Sequence, residues 1–122
     1  MSSWKRLEIE RIQHEDPKAV VYRLEGVLTD TKDCFGLLEM LRKDVKGGGS
    51  RVVIHLGKIE HITSAGVGIL AACYLSANNA KSRLSISGAS QQARSILQIV
   101  KLWDILDHYE TEEEALAGRT GS

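Results

Sequence analysis

The sequence predicts an α/β fold: a single small layered domain with a mostly parallel central sheet, an antiparallel N-terminal strand and about four helices. Three observations carry this reading. Val52, Val53, Ile54 and Leu56 form a nearly continuous, β-branched run, as in a central strand covered on both faces. Cys34, Leu37, Leu38, Leu41 and Val45 recur at three- and four-residue intervals, which places them on one stripe of a helix. Strand-like and helix-like segments then alternate to the end of the chain, an order that right-handed crossovers convert into a layered sheet.

The elements follow in chain order. Leu7, Ile9 and Ile12 alternate with charged residues and suggest a half-exposed first strand from about Arg6 to Ile12. Glu15-Asp16-Pro17 interrupts it, and Ala19 to Leu24 is apolar enough for a second strand that could form a hairpin with the first. Gly26 marks a turn or close approach as the chain leaves that strand. A helix from about Thr31 to Lys46 ends at Gly47-Gly48-Gly49, and the central strand follows. A second helix runs from Ser64 to about Ala80, with Val67, Leu70, Tyr74 and Ala77 on one face. Leu84 and Ile86 mark a short strand, Gly88 a turn, and Ser90 the cap of a helix carrying Ala93, Ile96 and Leu97. Trp103, Ile105 and Leu106 suggest a last strand. Thr111 and Glu114 have capping-box spacing, so a final short helix is expected to end before Gly118.

Composition bounds the function. The chain has 122 residues, 43% of them hydrophobic, which suits one globular core over residues 1–117; residues 118–122 read as a frayed tail or expression remnant. Sixteen Lys and Arg balance sixteen Asp and Glu, so no global field draws in nucleic acid or an anionic membrane. No apolar run has the length of a bilayer span or the form of a signal peptide, and the expected compartment is the cytoplasm. Cys34 and Cys73 lie far apart in helix-like segments and read as buried thiols.

Chemistry-bearing motifs are sparse. His14, His55, His61 and His108 lack metal-ligand spacing, although His55 and His61 bracket the end of the central strand and could approach each other there. No metal, cofactor or catalytic set is expected. GGGS at 47–50 opens no helix and is not a phosphate loop. SAGVG at 64–68 does open one. It either offers free amides to an anion or, with Thr63 or Ser64 as cap, lets Ala65, Gly66 and Gly68 pack closely on the sheet. TSAGVG is not a nucleophile elbow, and no base or orienting acid accompanies Ser64.

The segment VVIHLGKIEHITSAGVGILAAC, residues 52–73, resembles the central signature of STAS domains, the anti-sigma factor antagonist family. In that family a strand ending in an Asp-Leu-Ser-like element leads to an Asp-Ser-Ser-Gly-like turn and a helix opening Gly-hydrophobic-Gly. Here the matching elements are His55-Leu56-Gly57, Thr63-Ser64-Ala65-Gly66 and Gly66-Val67-Gly68. Leu24-Glu25-Gly26-Val27-Leu28 and Glu113-Glu114-Ala115-Leu116 extend the likeness to almost the whole chain.

The resemblance implies a non-enzymatic antagonist that binds an anti-sigma factor serine kinase, releases a sigma factor, and is reset by a phosphatase. It maps the phosphoacceptor onto Ser64 and the partner surface onto Thr29, Asp30 and Thr31 together with Thr63, Ser64, Ala65, Gly66 and Val67. Thr63 and His55 stand where the family carries aspartates, which changes the local field a kinase would read. Two alternatives remain open at this point: a stressosome or lipid-transport accessory scaffold, and a small-molecule sensor using the helix start. Self-association through the exposed edge of the first strand is a further expectation.

Overall fold

The computed structural model describes residues 6–15 and 18–118. The element order is β1 (Glu8–Glu15), β2 (Lys18–Leu28), α1 (Lys32–Asp44), β3 (Arg51–Ile62), α2 (Ser64–Asn79), β4 (Arg83–Ser87), α3 (Gln91–Ile99), β5 (Asp107–Tyr109) and α4 (Glu112–Ala117). The strands form one sheet in the order β1-β2-β3-β4-β5, with β1 antiparallel to β2 and the other pairs parallel.

Each crossover moves one strand further along the sheet, so right-handedness places α1, α2 and α3 on one face. The main core lies there: Leu37 and Leu41 of α1, Leu70 and Cys73 of α2 and Leu97 of α3 pack on Tyr22, Ile54 and Ile86 of the sheet. The opposite face carries a much smaller cluster of Val21, Val53 and Ala115, with Ile12, Tyr109 and Leu116 at its margin. That face is covered by α4, six residues long. Both faces of β3 are therefore buried beneath α1 to α3 and α4, as its unbroken apolar run requires.

Several elements differ from the sequence expectation. β1 runs from Glu8 to Glu15 rather than from Arg6 to Ile12, because its eight pairs with β2 form in unbroken register through the polar residues Gln13, His14 and Glu15. β2 does not end at Leu24. It continues through Gly26, which has a positive φ of 115° and sits where a Cβ would lie 2.2 Å from the carbonyl oxygen of Arg6. The close approach is real, but it falls inside the strand, between two register shifts that give β3 two more residues than the stretch of β2 it pairs with. β3 likewise continues beyond its apolar run to Ile62.

The segment read as a last strand, Trp103 to Leu106, is a turn. Leu102 and Leu106 are buried in the main core beside α3, Lys101 adopts a left-handed φ of 69°, and the strand is instead the polar triplet Asp107–Tyr109. At Gly118 the chain ends α4 in the left-handed conformation; the rest of the expected tail, residues 119–122, lies outside the described residues. Asp16 and Pro17 do so too.

Candidate functional site

The two segments singled out by sequence meet at the C-terminal ends of β2 and β3, the edge from which loops of a parallel sheet reach a common surface. β2 runs into Thr29-Asp30-Thr31, and Thr31 caps α1 by accepting from the amide of Cys34. β3 runs into Thr63, which caps α2 by accepting from the amide of Gly66 at 3.2 Å. The Thr63 amide donates to the Leu28 carbonyl at 3.0 Å, and the hydroxyls of Thr63 and Thr29 lie 2.9 Å apart in a hydrogen bond. One side chain thus caps α2 and ties its start to the β2–α1 loop.

Gly66 explains how close the two segments can come. A Cβ there would stand 2.2 Å from the Leu28 carbonyl oxygen and 3.0 Å from Ile62 Cγ2, so no larger residue fits without displacing backbone. Gly66 is buried and acts by close packing; it does not present surface to a partner. At Gly68 the same construction meets nothing within 4 Å, so that position opens outward.

Ser64 occupies the first position of α2 and is exposed, as are Ala65 and Asp30. Its hydroxyl has no hydrogen-bond partner among the described residues. The Thr63 hydroxyl is half-buried and engaged by Gly66, Thr29 and, at 3.5 Å, the Leu28 carbonyl. Its neighbour on α1, Cys34, is buried, receiving the Thr29 amide at 3.3 Å and the Thr31 hydroxyl at 3.2 Å on its sulfur. From Ser64 to Asn79 the helix carries no charged residue, and its outward side includes Ala65, Gly68 and Leu75, the last 57% exposed.

His55 is not part of this surface. It stands on the other face of the sheet in the row Glu10-Arg23-His55-Ser87-Tyr109, seven strand residues before Ile62 and so about 20 Å along β3 from the start of α2. His55 therefore cannot set the field that a kinase would read at Ser64, contrary to the expectation from its motif position. The same strand separation keeps His55 and His61 from meeting. Instead the His55 ring is wedged between Gly57 and Gly88, where added Cβ atoms would come within 2.6 Å and 2.5 Å of it.

A second polar constellation, distant in sequence, surrounds His55. Its Nδ1 lies 2.9 Å from the Ser87 hydroxyl and 3.7 Å from the Glu112 carboxylate, which Arg23 grips through two bonds of 2.8 and 2.9 Å. Ser87 is fully buried, and both it and Glu112 address the same ring nitrogen. A nucleophile and an orienting acid would need opposite nitrogens, so this is not a hydrolytic relay. Burial pulls the pKa of His55 below its ordinary value, with Arg23 and Lys58 acting in the same sense and Glu112 against them. The Arg23 hydrogen bonds hold the Glu112 carboxyl below its usual range. The arrangement pins α4 to the sheet. Among the described residues no group of His, Cys, Asp and Glu side chains could hold a metal ion, and no helix is long and apolar enough to cross a membrane.

Comparison with known proteins identifies the fold. The family model described as "Mlab, STAS domain" matches residues 13–107. No curated protein sequence matches the chain. Among solved structures, the chain is similar to an anti-sigma factor antagonist from Mycobacterium paratuberculosis, with a TM-score of 0.76, 19% identity and 93% of each chain covered. It is similar to the anti-sigma factor antagonist SpoIIAA in its unphosphorylated form, with a TM-score of 0.72, 20% identity, and 93% of this chain and 95% of that one covered. An anti-sigma factor antagonist (STAS) domain protein from Planctomyces limnophilus gives a TM-score of 0.68 at 14% identity, covering 90% and 96%. At these identities the likeness is one of fold, and it includes the antiparallel first strand, the parallel remainder of the sheet and the four helices. With the family model spanning most of its length, the chain belongs to the STAS domain family.

Proposed function

We propose that the protein is an anti-sigma factor antagonist that works by phosphorylation-dependent partner switching, without catalysing a reaction itself. In this reading it docks on an anti-sigma factor serine kinase through the β2–α1 loop and the start of α2, displacing a sigma factor. Phosphorylation of Ser64 ends the docking, and a phosphatase restores it. The observation that carries the reading is the unengaged, exposed hydroxyl of Ser64 on the first turn of α2.

The physical argument supports a switch that leaves the fold intact. A phosphate on Ser64 adds about −1.5 to −2 charges beside the amides of Ser64 and Ala65, which lack intrahelical acceptors at a helix start. The helix dipole favours negative charge there by about 0.3–1 kcal/mol. Phosphorylation of Thr63 would instead dismantle the cap. A partner covering Ala65, Gly68 and Leu75 desolvates no charge on α2. The same partner over a phosphoserine must bury or repel a dianion beside the loop that Thr29 ties to Thr63 and that carries the exposed Asp30, at a cost of several kcal/mol. Two or three steps of 1.4 kcal/mol correspond to about a hundred- to a thousandfold in affinity.

A second reading is kept because the matching family model is described by the name Mlab and not as an antagonist. In it the same surface docks the domain into a lipid-transport or stressosome assembly as an accessory subunit. Affinity capture from the source cells, with and without ATP, separates the two. Recovery of a kinase with a sigma factor, and of phosphate mapped to Ser64 by mass spectrometry, supports partner switching. Recovery of a transporter ATPase or a large shell, with Ser64 unmodified, overturns it.

A further inference from the structure

We infer that β1 is a self-association edge, through which a second copy of the chain pairs antiparallel across a two-fold axis at Ile12. Among the described residues nothing pairs with the outer side of β1, so the outward-facing amides and carbonyls of its eight residues are free. Natural sheets blunt such edges with short strands, bulges, charged side chains or prolines. The opposite edge, β5, follows that rule with three residues. β1 follows it only in part: its register with β2 is unbroken and it contains neither lysine nor proline, while Glu8, Glu10, Arg11 and Glu15 are charged, so a partner strand must match those charges.

Side-chain phase restricts the pairing. Ile9 packs on the main core and Ile12 on the small cluster beneath α4, so odd and even positions of β1 face opposite sides of the sheet. Opposed residues of an antiparallel pair share a face, so only registers that join like parities are allowed. A two-fold axis at Glu10 sets that carboxylate against its own copy, and an axis at Arg11 does the same with guanidinium. An axis at Gln13 leaves only Arg11 to Glu15 paired. An axis at Ile12 pairs Ile9 to Glu15 over seven residues and juxtaposes Glu10 with His14, Arg11 with Gln13, and Ile12 with Ile12, without a like-charge contact.

This register also supplies what Ile12 lacks. Ile12 is half-buried at the margin of Val21, Val53 and Ala115, and a symmetry-related Ile12 would extend that cluster across the axis. The result is a continuous ten-stranded sheet. Ser64 stays accessible in both copies, since α2 lies over β2 to β4 and away from the joining edge.

Cysteine scanning tests the register directly, because Cys34 and Cys73 are buried and leave the surface free of thiols among the described residues. Opposed residues have Cα atoms about 4.5–5.5 Å apart, within disulfide reach, whereas positions offset by two residues are about 8 Å apart and beyond it. Under mild oxidation Ile12→Cys should therefore cross-link to a dimer, while Arg11→Cys and Gln13→Cys should remain monomeric. Sedimentation velocity on the wild-type chain should show concentration-dependent dimerisation. His14→Glu, which opposes Glu10 twice per dimer, should raise the dimer Kd about tenfold with an unchanged circular dichroism spectrum. A wild-type chain that stays monomeric up to about millimolar concentration overturns the inference, as does cross-linking strongest at Arg11→Cys or Gln13→Cys.

Discussion

Replacing Thr63 by valine removes one oxygen from the junction between α2 and the β2–α1 loop while keeping its shape. Three interactions of the hydroxyl disappear: the cap on the Gly66 amide at 3.2 Å, the bond to Thr29 at 2.9 Å and the longer contact to the Leu28 carbonyl at 3.5 Å. Loss of a cap costs about 1 kcal/mol, and loss of a partly buried hydroxyl bond about another. The weak third contact adds little, so Thr63→Val should lose about 2 kcal/mol. For a domain of this size that lowers Tm by roughly 6–10 °C. Thr63→Ser, which retains the oxygen, should recover most of the loss. Urea denaturation followed by circular dichroism, with equal m-values for all three proteins, measures the difference. A Thr63→Val protein within about 0.5 kcal/mol of wild type would refute the reasoning that this hydroxyl is committed to structure and thereby leaves Ser64 as the acceptor.

Other positions give independent expectations. Ser85 has a buried hydroxyl beneath α4 with no hydrogen-bond partner among the described residues, so Ser85→Ala should raise stability by about 1 kcal/mol in the same denaturation assay. Gly66→Ala forces a methyl against the Leu28 carbonyl and should cost about 1–3 kcal/mol or more, read as a fall in the urea midpoint. The Glu112 carboxyl is held below its ordinary value by Arg23, so its contribution is present above the unfolded value of about 4.3 and is lost as pH falls below it. The stability gap between wild type and Arg23→Met should accordingly be open at pH 7 and narrow below about pH 4, as followed by thermal melts across pH. Burial pushes the Cys73 thiol up to about 12, so in the native protein it should resist alkylation at neutral pH and label only on unfolding.

The sequence was most informative where local chemistry determines structure. Thr63, Ser90 and the Thr111–Glu114 box all cap helices as their spacing suggests, because a cap is made by residues three apart. The strand Val52–Leu56 was equally legible, since burial on both faces leaves an unbroken apolar run. The last strand was not: Asp107-His108-Tyr109 is held by backbone pairing at an edge, and the apolar residues just before it serve the core beside α3. Gly26 read as a strand exit because its positive φ is the same signal in a turn and in a strand interior that another backbone segment approaches closely. The Arg23-His55-Glu112 set had no sequence signal at all. It depends on the register of β2 against β3 and on a helix more than fifty residues further along the chain, and neither leaves a local pattern. For Ser64, the helix start was readable from small residues after a cap, while its freedom from hydrogen bonds required the fold.

The central claim is that charge on the Ser64 side chain decides docking without disturbing the domain. Its most direct measurement is the affinity of the kinase partner, once captured, for wild-type, Ser64→Ala and Ser64→Glu chains by titration calorimetry, with circular dichroism confirming equal folding. The switch predicts that Ser64→Ala binds like the unmodified protein and Ser64→Glu at least about a hundredfold more weakly. Equal affinity for all three would contradict it.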